Sequence, residues 1–361
     1  MIIESMELKN FRNYRELQLH FDAKTNIFYG DNAQGKTNIL EAVYLSGTTK
    51  SHKGSRDRDM ILFGEDEGHL RTFVKKGEIE YQIDIHLKKN RTKGIAINGV
   101  PIRKASELFG IANFVFFSPE DLSIIKQGPG ERRRFLDMEL CQLDKVYLHH
   151  LVNYNRIVVQ RNKLLKDLSF RPELKDTLDI WDIQMAEYGK KIIESRNAFI
   201  ESLGEIIRGI HEKLSGGKEE LTLSYEKHVG AEELYDAITR SRDRDIRMKT
   251  SNVGPHRDDL MFAIGGVDIR KFGSQGQQRT AALSLKLSEI ELVKQVIHDT
   301  PVLLLDDVLS ELDHNRQNYL LDSIHDIQTM ITCTGLDEFV NHRFSINRVF
   351  RVVEGAVYSE N

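Results

Sequence analysis

The sequence predicts an α/β fold whose core is split along the chain by an inserted helical segment. Strand and helix patterns alternate in the first part of the chain and resume from residue 254 onward. Between about residues 132 and 214, apolar residues instead recur at steps of three and four, which is the period of amphipathic helices. The two flanking parts are therefore expected to rejoin in space as one core.

Residues 1–125 are expected to form the first part of this core. Three strand patterns cover residues 2–8, 14–21 and 26–28, and a helix pattern begins near Asn38. Alternating apolar residues then predict an added antiparallel sheet, in which Asn98 and Gly99 form a tight hairpin. The alternation is carried by Tyr81, Ile83, Ile85 and Leu87.

Residues 126–250 are expected to form a helical second lobe. Two long apolar stripes with polar outer faces predict two antiparallel helices. The first includes Leu136, Leu140, Leu143, Tyr147, Leu151, Tyr154 and Val158, and the second includes Leu174, Leu178, Trp181, Met185, Tyr188, Ile192, Phe199 and Leu203. Residues 251–361 should then complete the core.

The composition is that of a globular protein, with 40% apolar and 29% charged residues. No apolar run approaches the roughly 20 residues of a membrane span, and the N-terminus lacks a signal-peptide core. Cys141 and Cys333 have no neighbouring cysteine or histidine cluster, which favours buried thiols over a disulfide or a zinc site. We therefore expect a cytoplasmic protein without a membrane partner.

The formal net charge of −4 gives no general sign of a nucleic-acid-binding protein. Any DNA site must therefore be local, although each basic cluster, taken alone, is better explained as a solvated surface than as a phosphate site. The clusters are Lys88, Lys89, Arg91 and Lys93; Arg132, Arg133 and Arg134; and Arg240, Arg242, Arg244, Arg247 and Lys249.

Residues 30–37 match the phosphate-binding pattern G-x-x-x-x-G-K-[ST], between a predicted strand and a predicted helix. In such a loop the backbone N–H groups face phosphate oxygens, the lysine reaches the β- and γ-phosphates, and the last hydroxyl is a ligand of Mg²⁺. The flanking elements favour this reading over a simple glycine turn. The residues are Gly30, Asp31, Asn32, Ala33, Gln34, Gly35, Lys36 and Thr37.

An apolar run at residues 302–305 leads into two carboxylates, Asp306 and Asp307. A buried parallel strand would deliver these acids to the edge of the sheet where the phosphate loop is expected. Asp306 is predicted to hold Mg²⁺, directly or through water, and Asp307 to orient or deprotonate the attacking water. Alone, the motif is also consistent with a strand followed by a capping aspartate.

Residues 273–279 precede a helix with one apolar face and contain Ser274, Gly276 and Gln277. Small residues at a helix start present free N–H groups, and a serine hydroxyl suits contact with a γ-phosphate. Two cradles around one nucleotide imply that the second belongs to a partner subunit. By itself this segment is better explained as a polar helix cap.

The order of these motifs, followed by Ser310-Glu311-Leu312-Asp313, resembles the Walker A, signature, Walker B and D-loop order of ABC ATPases. The chain resembles most closely the RecF family of SMC-like heads, through motifs that cover essentially its whole length. Besides the signature, the matching segments are residues 8–14, 118–122, 132–137 and 254–259. The resemblance implies an ABC-type ATPase head, a P-loop fold with an added antiparallel β-subdomain, and an inserted helical lobe.

For a member of this family, the resemblance implies ATP and Mg²⁺ as ligands and weak ATP hydrolysis. It also implies an ATP-dependent homodimer on double-stranded DNA near single-strand gaps, with RecR and RecO as partners. Arg12 would contact the nucleotide, although the residues alone are equally consistent with an exposed arginine at a strand edge. Asp307 replaces the glutamate of many ABC heads, and Thr332 to Thr334 occupy the histidine switch region, which suggests slow hydrolysis.

Two other function classes fit the sequence less well. A transporter ATPase is disfavoured because the signature reads Gly-Ser-Gln-Gly-Gln and the insertion is arm-like. A DNA-binding scaffold with an inactive nucleotide site is disfavoured because Lys36, Asp306 and Asp307 are all present. His256 is interpreted as a structural histidine.

Overall fold

The computed structural model describes residues 1–336 and 346–360, which belong to two units. The first unit combines Met1–Asp121 with Lys286–Asn361, and the second is Leu122–Leu285. The predicted rejoining of two distant chain segments is therefore observed in the first unit. None of the helices in the described residues is both long and apolar enough to cross a membrane.

A mostly parallel sheet forms the core of the first unit, in the order β15-β14-β3-β13-β12-β8. Neighbouring strands are parallel except for the β14–β15 hairpin. The strand β12 is buried along its whole length, as its apolar run predicts. The elements are β3 (Thr25–Tyr29), α1 (Lys36–Thr48), β8 (Phe114–Phe117), β12 (Val302–Asp306), α10 (His314–Ser323), β13 (Thr329–Cys333), β14 (Arg348–Val353) and β15 (Ala356–Glu360).

An antiparallel sheet with the order β2-β1-β4-β5-β6-β7 completes the first unit. The hairpin predicted at Asn98 and Gly99 is present, because Ile97 pairs with Val100 across these two residues. The strands are β1 (Ile2–Phe11), β2 (Tyr14–His20), β4 (Glu67–Lys76), β5 (Ile79–Lys88), β6 (Gly94–Ile97) and β7 (Val100–Pro101).

The second unit is mainly helical and carries one small antiparallel sheet, β11-β10-β9. Its elements are α2 (Leu122–Lys126), α3 (Pro129–Leu143), α4 (Lys145–Asp167), α5 (Leu178–Leu214), β9 (Leu221–Glu226), α6 (Leu234–Arg240), α7 (Arg242–Met248), β10 (Asp259–Ile264), β11 (Val267–Asp268), α8 (Ile269–Phe272) and α9 (Gln275–Ile297), whose last twelve residues fall in the first unit. The predicted antiparallel packing holds for α4 and α5, since Arg161 binds Asp182 while Tyr147 binds Arg196.

Two details differ from the sequence expectation. The first predicted helix is divided into α3 and α4 at Asp144, which has extended φ and ψ and caps α4 by accepting a hydrogen bond from the Val146 backbone. The second unit also extends to residue 285 instead of ending at 250. It does so because β10 pairs with β9 over six residues, which ties residues 259–264 to the helical segment.

Arg161 is the centre of a buried polar cluster in the second unit. Its side chain is fully buried and binds Asp182 at 2.6 Å, Asp245 at 2.7 Å and the Ser251 hydroxyl at 2.8 Å. Asp182 also forms a salt bridge with Arg242. Among the described residues, Asp245 has a salt bridge with Arg161 alone. This cluster joins α4, α5, α7 and the following loop.

Replacing Arg161 with Met should lower the free energy of unfolding by about 3–5 kcal/mol, because Asp245 would become a buried charge without a cation. Urea denaturation followed by circular dichroism measures this change. The exposed Arg156 on the same helix provides the matched control, and Arg156→Met should change stability by less than about 0.5 kcal/mol. Equal effects of the two substitutions would contradict the role given to the cluster.

Candidate functional site

The phosphate-loop motif lies where its sequence context predicts, between β3 and α1. Gly30 and Gly35 have φ values of 148° and 113°, which side-chain-bearing residues rarely adopt. A Cβ atom on Gly30 would lie 2.3 Å from the Val352 carbonyl oxygen, and one on Gly35 would lie 2.4 Å from the Asn13 amide nitrogen. The loop therefore requires glycine at both positions.

The start of α1 is open to an anion. Its N-cap, Gly35, provides no side-chain hydrogen bond to the first N–H groups of the helix. The Lys36 side chain folds back over the loop and donates to the carbonyl oxygens of Gly30 at 2.6 Å and Asp31 at 2.7 Å. Burial lowers the pKa of this ammonium group, and a nearby phosphate would offset that penalty.

Two neighbouring segments brace the loop from outside. The Tyr14 hydroxyl donates to the Gly35 carbonyl at 3.0 Å, and the Asn13 amide donates to the Gln34 carbonyl at 3.1 Å. On the other side, the Glu354 backbone N–H at the β14–β15 turn donates to the Gln34 side-chain oxygen at 2.5 Å. The conformation of the loop thus depends on residues from both ends of the chain.

Asp306 lies at the carboxyl end of β12 and is in contact with the phosphate loop. One of its oxygens, Oδ1, accepts hydrogen bonds from the Thr37 and Thr332 hydroxyls, both at 2.7 Å. The side chain is only 7% exposed. The structure therefore brings together Thr37 and Asp306, the two predicted metal-binding residues, and adds Thr332.

Asp307 has left-handed backbone geometry, with φ of 54°. Its N–H donates to the carbonyl and hydroxyl oxygens of Thr332, at 3.2 Å and 3.0 Å, and the Ser310 hydroxyl donates to its side chain at 3.3 Å. Of the two threonines considered for the switch region, Thr332 is therefore the one that contacts both aspartates.

The oxygen atoms at this site suit Mg²⁺. A hydroxyl and a carboxylate lie side by side, and Mg²⁺ prefers oxygen ligands, often one or two from the protein with the remainder from phosphate and water. In the described residues no group of three or more His, Cys, Asp or Glu side chains could hold a metal ion. Thr37 and Asp306 therefore fit a metal that is shared with a bound phosphate.

Arg12 is not the exposed strand-edge residue that the alternative reading describes. Its guanidinium forms two hydrogen bonds of 2.7 Å with Glu41, a buried residue of α1. Burial alone would raise the pKa of Glu41, but hydrogen bonds from Arg12 and Ser51 hold it below its usual value. Sequence reasoning missed Glu41, although a carboxylate within the apolar run of residues 39–43 was a usable signal.

The signature residues lie in the second unit at the start of α9. The Ser274 hydroxyl accepts from the Gln277 backbone N–H at 3.2 Å, and the Gln277 side chain accepts from the Ser274 N–H at 2.9 Å. This reciprocal pair is a capping box, which fixes the first turn of the helix. Ser274 and Gly276 are exposed, so this helix start is accessible to a ligand or a partner.

The 132–137 and 254–259 motifs meet inside the second unit. Arg132 is buried and pairs with Asp259 at 2.5 Å, while Arg133 donates to the Asp258 carbonyl at 2.7 Å. These two arginines therefore have structural partners, whereas Arg134, the third member of this candidate basic cluster, is exposed. His256 contacts the Tyr154 hydroxyl, and burial lowers the pKa of this histidine to about 4, so it is neutral at pH 7.

Comparison with known proteins agrees with this architecture. Residues 2–356 match the family model described as RecF/RecN/SMC N terminal domain. Two relatives, from Agathobacter rectalis and Lachnospira eligens, carry the name DNA replication and repair protein RecF. The first is 64% identical to this chain, and the match covers 99% of both sequences. The second is 61% identical, and the match covers 100% of both sequences.

A solved structure titled "Structure of the recombination mediator protein RecF-ATPrS in RecFOR pathway" matches with a TM-score of 0.92 and 36% identity, covering 100% of this chain and 98% of that one. A second solved structure, an Smc head bound to the C-winged helix domain of ScpA, matches with a TM-score of 0.58 and 17% identity. The match covers 100% of this chain and 98% of that one, and it supports the fold alone. The predicted ABC-type head is confirmed. The chain belongs to the RecF family of SMC-like ATPases.

Proposed function

We propose that this protein binds and slowly hydrolyses ATP, and that ATP holds two copies together on DNA during recombinational repair and replication restart. The observation that carries the proposal is the 2.7 Å hydrogen bond between Thr37 and Asp306, beside the phosphate loop. It joins Thr37 of the phosphate loop to Asp306 at the end of β12, the two residues that we propose hold Mg²⁺ for hydrolysis. The relatives named for DNA replication and repair, and the solved RecF structures with ATP or ATPrS, support the repair role and the ATP binding in this proposal.

In this proposal the phosphates lie against the backbone of residues 30–37, and Lys36 turns from the loop carbonyls toward the β- and γ-phosphates. Thr37 and Asp306 would hold Mg²⁺, which neutralises phosphate charge when bound. Asp307 orients the attacking water and accepts its proton. Its side chain contacts Ser310 of the proposed D-loop, a segment suited to sensing the partner subunit.

We assign contact with the nucleotide of the partner subunit to three residues, Ser274, Gly276 and Gln277. Their exposed helix start presents N–H groups and a hydroxyl that one chain would use on the γ-phosphate held by its partner. Once hydrolysis removes the γ-phosphate from the loop, that contact is lost and the two heads separate.

DNA binding must use local positive charge, because the whole chain carries −4. Of the three candidate clusters, the one at residues 240–249 has most of its cations on the surface. Arg242 is held by Asp179 and Asp182, whereas Arg240, Arg244, Arg247 and Lys249 are exposed. Dimer closure would double such a cluster on double-stranded DNA near a gap, where RecR and RecO then support recombinase loading.

Replacing Lys36 with Ala should weaken ATP binding by about 100-fold or more, because it removes a charged donor from the phosphate site. Isothermal titration calorimetry measures the affinity, and circular dichroism monitors the fold. Lys24→Ala removes an exposed lysine from the same unit and serves as the control. Unchanged ATP binding by the Lys36 variant would contradict the phosphate-loop assignment.

Replacing Ser274 with Arg should leave nucleotide binding by single chains intact and abolish the ATP-dependent dimer, because a bulky cation would fill the in-trans cradle. Light scattering with and without ATP measures the dimer. Ser274→Ala is the matched comparison. It removes the same hydroxyl and helix cap, at a cost of about 1 kcal/mol, without adding bulk, and should weaken the dimer without abolishing it. A normal ATP-dependent dimer of the Arg variant would exclude the in-trans role.

Replacing Asp307 with Asn should slow ATP hydrolysis by at least about 100-fold and prolong the lifetime of the complex on DNA. Asparagine tolerates the left-handed geometry of this position and preserves the side-chain size, but it cannot accept the water proton. Asp306→Asn should instead weaken closure through loss of a metal ligand. ATP turnover and dissociation from DNA in the presence of ATP are measured for both variants. If the Asp307 variant lost hydrolysis but still dissociated rapidly from DNA, the proposed link between hydrolysis and release would be wrong.

A further inference from the structure

We propose that Glu41 is a positioning residue that holds Arg12 as a fixed, preorganised donor to the phosphates of bound ATP. This inference rests on the proposed ATP site and on the nucleotide contact that the family resemblance implies for Arg12. Arg12 directly precedes Asn13 and Tyr14, whose side chains donate to two carbonyl oxygens of the phosphate loop. The contacts of Arg12 explain why its guanidinium would already be in position before the nucleotide binds.

The guanidinium of Arg12 is almost fully engaged. Nε and Nη2 each donate to Glu41, Nη2 also donates to the Ser55 hydroxyl, and Nη1 donates to the Asp59 carbonyl, all at 2.7 Å. A guanidinium has five N–H donors. Four are used within the described part of the chain, which leaves a single Nη1–H for a ligand.

Glu41 cannot readily release Arg12. It is fully buried, and the Ser51 hydroxyl donates to it at 2.5 Å. If Arg12 moved away to a phosphate, the carboxylate would remain buried without its cation, and breaking a buried pair in this way is strongly unfavourable. The remaining Nη1–H is therefore the donor suited to a phosphate, while the other contacts stay in place.

The backbone fixes the same geometry. Arg12 has a φ of 52°, and its N–H donates to the Met60 carbonyl at 2.7 Å. Glu41 lies on α1, the helix that begins at Lys36 of the phosphate loop. The ion pair thus sets the position of the guanidinium relative to the loop through one rigid helix, which avoids the entropic cost of ordering a mobile side chain upon binding.

A double-mutant cycle tests this inference. Calorimetry measures the affinity of wild type, Arg12→Ala, Glu41→Gln and the double variant for a non-hydrolysable ATP analogue. Each single substitution should weaken binding by about 10- to 100-fold, the range for one hydrogen bond to a charged group. The double variant should bind no more weakly than the weaker single variant, because both changes remove the same contact.

Arg15→Ala serves as the control, since it removes a largely exposed arginine from the neighbouring strand and should leave affinity unchanged. Wild-type affinity of Arg12→Ala would refute the nucleotide contact itself, while Lys36→Ala would still test the phosphate loop. The positioning role would be overturned if Arg12→Ala bound the analogue weakly while Glu41→Gln bound it normally. It would also be overturned if the losses in affinity of the two single variants multiplied in the double variant. If Glu41→Gln does not fold, Glu41→Asp keeps the charge but draws it back along α1, and the same cycle with Arg12→Ala decides the outcome.

Discussion

The nucleotide site proposed for the first unit depends on the hydrogen bond between Thr37 and Asp306. This bond joins residues separated by 269 positions, one at the start of α1 and the other at the end of β12. Neither residue forms a site alone, because a hydroxyl at a helix start and an aspartate after a strand are common features of proteins. The sheet makes the pair specific by placing β13 between β3 and β12, so that Thr332 reaches Asp306 as well.

Much of the first unit could be predicted because its signals are local. Three of its features can be predicted from a few neighbouring residues each: the buried strand β12, the phosphate loop and the Asn98-Gly99 hairpin. The partner of Arg12 could not be found in this way. Glu41 is 29 positions away, and nothing in the spacing of the two residues indicates that their side chains meet.

In the second unit, periodicity predicted the helices but not their limits. Asp144 divides the first run because its side chain caps α4, and a capping aspartate within a continuous apolar pattern is easily taken for a surface residue. The arginine-rich motif at residue 132 illustrates the same limit. A cation that binds phosphate and one that binds a buried carboxylate look alike in sequence, and Asp259, which pairs with Arg132, lies 127 positions away.

The sheet order has a consequence for biosynthesis. The strand before the phosphate loop, β3, has β13 and β14 as its neighbours, and the turn after β14 braces Gln34. On the ribosome, these partners emerge only after residue 329, so the loop is translated long before its supporting strands exist. Pairing over such a separation carries a large loop-closure entropy and slows folding. The phosphate loop of a nascent chain therefore lacks these supporting strands until the whole second unit has been translated.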